Sequence, residues 1–390
     1  MRSRETALSL QPKTAPPAVA ALAVHRVSLN NFRNYRNVHL VLEPVPVVLT
    51  GANGSGKTNL LEALSLLVPG RGLRRAQLAD LQHHQESAPW AVATELMTSI
   101  GPVKIGTGRD PENTKVDRRV VHIDGKTVKS QQELAAHVAM AWVTPEMDRI
   151  LVGGPSVRRR LLDRLVYSFD PAHAGRVHRY EKALRERLRL LRDCIADPSW
   201  FDALEDEMAQ TGVAITAARL QLLQQLQTVM ASATGAFPQA DLTLQGLAEE
   251  LLQKYPALLV EDMLRTAFAR TREEDRQKDV CAIGPHRSDL IVVHATRQVS
   301  ADHCSTGEQK ALLISIMLAY MRILAVMRGM PPLLLLDDIT AHLDEARRGA
   351  LFEEIEDLGV QAWLTGTDES SFGPFATQAQ HFVVELGILR

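Results

Sequence analysis

Residues 47–62 read VVLTGANGSGKTNLLE, and Gly51 to Thr58 keep the spacing G-x-x-x-x-G-K-T. Such a loop works only between a strand and a helix, where backbone N–H groups and the positive helix end converge on one point. Both flanks are present: a branched apolar run stops at Thr50, and NLLEALSLLV continues behind the loop with helical periodicity. The cradle is the backbone of Gly51, Ala52, Asn53, Gly54, Ser55 and Gly56, whose glycines let a polyphosphate come close. The Lys57 ammonium suits the β and γ phosphates, and the Thr58 hydroxyl suits a Mg²⁺ that bridges them. The ligand is a nucleoside triphosphate whose base the loop leaves open.

A second segment, PPLLLLDDITAHLD at 331–344, puts two aspartates behind four leucines. The apolar run predicts a strand buried on both faces of a parallel sheet, and acids at its carboxyl end meet the ligand crevice. Asp337 is suited to hold Mg²⁺ through water, and Asp338 to orient and polarise the water that attacks the γ-phosphate. Between the two lies CSTGEQKALLISIML at 304–318, where Ser305 or Thr306 caps a helix and Glu308 or Gln309 reaches back. A helix start with small residues is also an anion site, yet the phosphate loop already has a helix of its own.

The 390 residues are enough for two domains. From about Val24 to Thr50, and again at 91–97, 103–108 and 119–123, the text alternates as short strands, with IDGK at 123–126 as a hairpin turn. From 131 the pattern turns helical, through 156–169, 176–195, about 200–233 and 245–277. Strands return around Cys281 and at 289–295. The chain thus divides into a tail at 1–23, read as disordered, a discontinuous α/β lobe at 24–130 plus 279–390, and an inserted helical lobe at 131–278. No stretch approaches the apolar length for a membrane span, since 311–327 is interrupted by Tyr320 and Arg322. The three cysteines lack metal or redox spacing, which fits a reducing cytosol.

The order of these motifs resembles the ABC-type ATPase heads. GANGSGKT is similar to their Walker A loop, CSTGEQ to their signature, LLLLDD to Walker B and AHLD at 341–344 to the D-loop. Within that class LNNFRNYRN at 29–37, TPEMDRILVGGPSVRRRLLD at 144–163, GPHRSDL at 284–290 and STGEQKALL at 305–313 resemble the RecF family, from about residue 24 to 388. The resemblance implies an α/β ABC-type head with a P-loop sheet, a β-rich subdomain and a helical lobe. It implies ATP and Mg²⁺ as cofactors and an ATP-dependent homodimer in which Ser305, Gly307 and Glu308 of one copy face the γ-phosphate held by Lys57 of the other. Hydrolysis would be slow, a timed switch, because Asp338 stands where many such heads carry the longer glutamate. Glu146 becomes a metal-side contact, Thr365 or Thr367 a γ-phosphate contact, and Arg33 or Asn34 a neighbour of the base or ribose. Phe32 and Tyr35 read as packing beneath the sheet, and His286 and Arg287 as structural or interface residues.

The overall charge of −2 says nothing about nucleic acid, but residues 149–192 hold twelve Lys and Arg against four Asp and Glu. Arg158, Arg159 and Arg160 run together, and Arg185 and Arg189 recur at helical spacing. Charge alone fits a solvated helix face or support of the fold as well as it fits DNA phosphates. The resemblance tips the reading toward duplex DNA beside single-strand gaps, with RecR- and RecO-type mediators as partners. It further implies recombinational repair and replication maintenance in the cytoplasm, without a membrane. A nucleotide-binding subunit of another ABC-type assembly without a DNA role is the rival. Aromatic residues, at 5%, do not interleave with the basic ones, so a stacking platform for single strands is not supported.

Overall fold

The computed structural model describes residues 22–86, 88–110, 118–194, 197–233, 235–341 and 343–390. The expected tail therefore lies outside the described residues, apart from Leu22 and Ala23.

The first lobe opens with β1 (Ala23–Phe32) and β2 (Tyr35–Val41), then β3 (Val47–Thr50), the phosphate loop and α1 (Lys57–Ser65). β4 (Ala91–Thr98), β5 (Gly101–Arg109), β6 (Arg119–Ile123) and β7 (Lys126–Thr127) follow, then α2 (Leu134–His137) and β8 (Met140–Val143). An antiparallel sheet in the order β2-β1-β4-β5-β6-β7 results. Its alternating strands bury one face, as in β4, where Val92, Thr94, Leu96 and Thr98 are the buried set. Asp124 and Gly125, both at positive φ (48° and 77°), close the β6–β7 hairpin.

The middle of the chain supplies α3 (Pro155–Tyr167), α4 (His173–Arg192), α5 (Pro198–Ser232), β9 (Ala240–Gln245), α6 (Leu247–Leu252), α7 (Ala257–Arg270) and α8 (Arg272–Lys278). Then come β10 (Asp289–His294), β11 (Val299–Ser300), α9 (Thr306–Arg328), β12 (Leu333–Leu336), α10 (Glu345–Leu358), β13 (Ala362–Thr365), β14 (Gln380–Glu385) and β15 (Ile388–Leu389). The core sheet runs β15-β14-β3-β13-β12-β8 and is parallel from β14 to β8. β3, β8, β12 and β13 are buried at every residue, which is why β8 and β12 read as unbroken apolar runs and β3 and β13 as apolar runs closed by a threonine.

Three expectations are corrected here. The span 131–278 does not start as a helical lobe: β8 pairs with β12 as the edge strand of the core sheet, so the chain through Val143 belongs to the nucleotide lobe. The span is also not wholly helical, because β9 pairs along its full length with β10. Finally, α9 is long and apolar enough to cross a membrane, but 72% of that window is buried inside the protein, as the central core helix it is.

The helical lobe has its own apolar centre, including Tyr180, Met208, Val213, Leu264 and Phe268. An ionic knot locks it: the fully buried Arg187 donates to Glu205 (2.8 Å), Asp275 (2.7 Å) and the Phe268 carbonyl (2.7 Å), joining α4, α5, α7 and α8. Arg219 on α5 holds Asp163 on α3 through two 2.8 Å bonds and reaches the Pro285 carbonyl at 2.7 Å. That contact ties the helices to the returning chain.

Candidate nucleotide-binding site

β3 delivers the chain to the loop with its backbone fixed by β13 and β14 on either side. Gly51 (φ 141°) and Gly56 (φ 120°) adopt conformations that favour glycine, and neither has room for a side chain. A Cβ on Gly51 would strike the Val384 carbonyl, and one on Gly56 the Asn34 amide. Beneath the loop, Tyr35 donates to the Gly56 carbonyl (2.9 Å), while Asn34 and the Gly387 N–H donate to Ser55 O (2.9 and 3.1 Å). Asn34 in turn accepts from Asn59 (2.7 Å), and Arg33 grips the buried Glu62 of α1 with two bonds (2.8 and 2.9 Å). Asn34 therefore braces the loop and Arg33 the helix behind it; neither is among the residues lining the cleft around Lys57 and the aspartates. Phe32 and Tyr35 are fully buried.

The cleft itself, about 320 Å³, has Lys57, Thr58, Glu146, Asp337, Asp338 and Thr365 among its walls. Lys57 Nζ spans the loop, donating to the carbonyls of Gly51 (2.5 Å) and Ala52 (2.9 Å). Burial lowers its pKa, against the pull of Asp338 and Asp337. Asp337 directly follows β12 and accepts through Oδ1 from Thr58 and from Thr365, both at 2.8 Å. Burial raises its pKa, although the two hydroxyls and Arg74 work in the opposite direction. Asp338 turns out of the strand at φ 48°, its N–H donating to Thr365 Oγ1 at 2.7 Å. One threonine thus ties the two aspartates together. Thr367 by contrast is exposed and donates to Asp368 (2.9 Å).

The donor set fits the groups the sequence implies. Thr58 and Asp337 are hard oxygen ligands already within hydrogen-bond reach of each other, as a small dication such as Mg²⁺ prefers. Ser55 Oγ is buried in the loop without a hydrogen-bond partner, a polar atom that a bound phosphate can satisfy. Sequence reasoning missed Arg74 and Thr144, which also line the cleft. Arg74 donates to Asn59 (2.9 Å), but nothing in its loop marks it by spacing.

Ser305, Gly307 and Glu308 do not line this cleft. They form the first turn of α9, closed as a capping box: Glu308 Oε2 accepts from the Ser305 N–H (2.9 Å), and Ser305 Oγ from the Glu308 N–H (3.4 Å). Those bonds from Ser305, with the Arg297 ion pair, hold the Glu308 carboxyl down at about 2. One turn in, Lys310 is buried and donates to the Ala341 carbonyl (2.8 Å) while facing Asp148 (3.5 Å), so the start of α9 is anchored to the D-loop segment.

The basic segment is dispersed by the fold. Arg158 is bidentate on Asp289 (2.8 and 2.7 Å), and Arg159 donates to the Ser288 carbonyl (2.6 Å), so both support β10. Arg160, Arg185 and Arg189 are exposed, the last two beside Glu181 (3.9 Å) and Glu186 (2.8 Å) of their own helix. His286 bridges the Tyr180 hydroxyl (2.7 Å) and the Cys281 carbonyl (3.0 Å), and burial brings its pKa down to about 4. Arg287 is exposed.

Residues 23–374 match the family described as RecF/RecN/SMC N terminal domain. The chain is 46% identical to the DNA replication and repair protein RecF of Mesorhizobium japonicum, over 93% of this chain and 96% of that one. It is 45% identical to the protein of the same name from Agrobacterium fabrum, over 94% and 98%. Among solved structures, a recombination mediator protein RecF-ATPrS of the RecFOR pathway superposes with a TM-score of 0.83 at 23% identity, covering 95% of this chain and 98% of that one. An Smc head domain from Pyrococcus furiosus gives 0.53 at 14% identity, covering 95% of each. At those identities the two structures speak for the fold.

Proposed function

The chain belongs to the RecF family of DNA replication and repair proteins, and on that premise we propose that it is an ATP-driven switch on duplex DNA. Two copies close with ATP in their interface, hold duplex beside a single-strand gap, and separate when slow hydrolysis removes the γ-phosphate. RecR- and RecO-type mediators would then place recombinase on the exposed strand.

The observation that carries this reading is a divided site. Lys57, Thr58, Asp337 and Asp338 share one cleft, while Ser305, Gly307 and Glu308 stand apart from it at the capped end of a 23-residue helix. Within the cleft Lys57 binds the β and γ phosphates, and Thr58 and Asp337 would hold Mg²⁺. That ion, when bound, neutralises charge on the phosphate oxygens. Asp338 orients the attacking water, and its short arm suits slow turnover. The N-terminus of the partner's α9 contributes its dipole and the Ser305 hydroxyl to the γ-phosphate. Because that contact exists only between two copies, ATP binds the dimer better than the monomer and so favours it.

Sedimentation velocity and duplex-DNA binding, with ATP, with ADP and for Lys57→Met, test the proposal. The expected result is a heavier species and tighter duplex binding only with ATP and only in the unsubstituted protein. An ATP-saturated chain that stays monomeric removes the switch, and a dimer indifferent to duplex removes its DNA role.

A further inference from the structure

A second cavity, of about 300 Å³, lies between β8, α2, the end of α3, the first turn of α4 and α9. Val138, Met140, Leu165 and Met317 contribute to a mainly apolar wall, into which two cations, Arg164 and Arg328, are set. Arg164 lies over the Trp142 ring, 4.6 Å from its centroid, and among the described residues its one hydrogen bond is a 3.6 Å donation to Met147 Sδ. Arg328 donates to backbone carbonyls, those of Ala135 (2.7 Å) and Ser168 (3.1 Å). A third guanidinium, that of Arg119, is buried just behind and donates to Gly70 O (2.8 Å) and Gln131 Oε1 (3.2 Å), both from residues of the cavity wall.

Among the described residues no carboxylate lines this cavity, and none is ion-paired with any of the three arginines. The fully buried Arg187 and Arg219 of the same molecule are each matched by carboxylates, whereas the buried Arg119 and the half-buried Arg164 and Arg328 are not. Burial pushes the guanidinium pKa of Arg164 and of Arg119 down to about 10, which still leaves both charged at neutral pH. A cation withdrawn even partly from water without a counterion is costly, and ring faces and carbonyls compensate it only in part. Arg164 is half-buried and lines the cavity. The size is at the lower end of small-molecule sites, and apolar walls with a few convergent polar groups are their usual make-up.

We infer that this cavity binds an organic carboxylate with a compact apolar body, the carboxylate on the Arg164 guanidinium and the body against Val138, Met140, Leu165 and Met317. The fork of Arg164 matches a carboxylate in two parallel hydrogen bonds. Two sources share that chemistry, a free arylalkyl acid and the C-terminal residue of a peptide. The site is separate from the phosphate loop, although Met147, which Arg164 touches, follows the Pro145–Glu146 wall of the nucleotide cleft.

Calorimetric titration of the full chain, without nucleotide, decides the matter. The probes are 3-phenylpropanoate, acetyl-glycyl-phenylalanine, and the amide of each. Binding of either acid in the millimolar range or tighter is expected, with its amide at least about tenfold weaker. The acid that binds more tightly identifies the source. Arg164→Gln, and separately Ala174→Phe, which fills the cavity, should each weaken binding by at least about tenfold while melting as a folded protein. Two acids that do not bind, amides that bind equally well, or binding that survives both substitutions would each overturn the inference. None of these outcomes depends on ATP, so failure here is distinguishable from failure of the switch.

Discussion

Asp337 is the residue at which folding and nucleotide chemistry pull in opposite directions. It is 6% exposed, and burial lifts its pKa above the ordinary carboxylate value. An acid whose pKa is raised by folding holds its proton more tightly in the native state than in the unfolded chain. Stability contributed this way is present at low pH and is lost as pH rises from the unfolded pKa through the folded one. At neutral pH the nucleotide-free protein therefore carries an unfavourable charge that Thr58 and Thr365 relieve only partly. Asp337→Asn keeps the shape and removes the charge. Its melting temperature in the absence of nucleotide should exceed that of the unsubstituted protein by about 1–2 °C near pH 7.5, the shift that roughly 1 kcal/mol produces in a chain of this length. The difference should shrink toward zero as the pH is taken down to the ordinary carboxylate range. Mg²⁺-dependent ATP hydrolysis should be lost at the same time. Melting curves across pH give the answer, and a variant less stable at every pH would mean that hydrogen bonding outweighs desolvation here.

At the scale of the element, α9 has two roles at one end. Its capping box satisfies helix N–H groups locally, while the same turn is the segment proposed to meet a second copy's phosphate. The two are separable. Ser305→Ala removes the cap and should cost about 1 kcal/mol of stability as well as weaken ATP-dependent dimerisation. Ser305→Asp keeps a good capping side chain but brings a negative charge toward the phosphate, so it should retain stability within about 0.5 kcal/mol and still lose the dimer. Chemical denaturation and sedimentation with ATP read the two effects separately, and a Ser305→Asp chain that dimerises normally with ATP would reduce Ser305 to a cap. This element was legible in the sequence because its signals are local: a serine, a glutamate three residues on, and an apolar stripe. β8 and β9 were not. MAWV is four buried residues that look the same in a helix or a strand, and ADLTLQ becomes a strand only because β10 lies beside it. The roles of Arg33, Arg158 and Arg159 were equally hidden, since their partners Glu62, Asp289 and Ser288 are decided by tertiary packing.

For the whole molecule, the relevant charge is what the fold leaves exposed. The +8 of residues 149–192 is reduced by Arg187 inside its carboxylate knot and by Arg158 on Asp289, and no sequence count could separate those from the rest. Arg160, Arg185 and Arg189 remain at the surface. Their pairing with neighbouring glutamates is no obstacle, because exposed pairs are worth about 0–1 kcal/mol and exchange readily for a phosphate. If the closed dimer holds duplex through this face, replacing the three by alanine removes six cations from the complex, three from each copy. The slope of log binding constant against log salt should then become shallower by about 5, with little dependence on base sequence. ATP binding by the isolated chain should stay unchanged, since none of the three lines the cleft. Titrations of one duplex at several salt concentrations, with ATP held saturating, measure that slope directly. A slope identical to that of the unsubstituted protein would transfer the DNA to another face while leaving the nucleotide switch intact, and a loss of ATP-dependent dimerisation would place these arginines in the protein–protein contact instead.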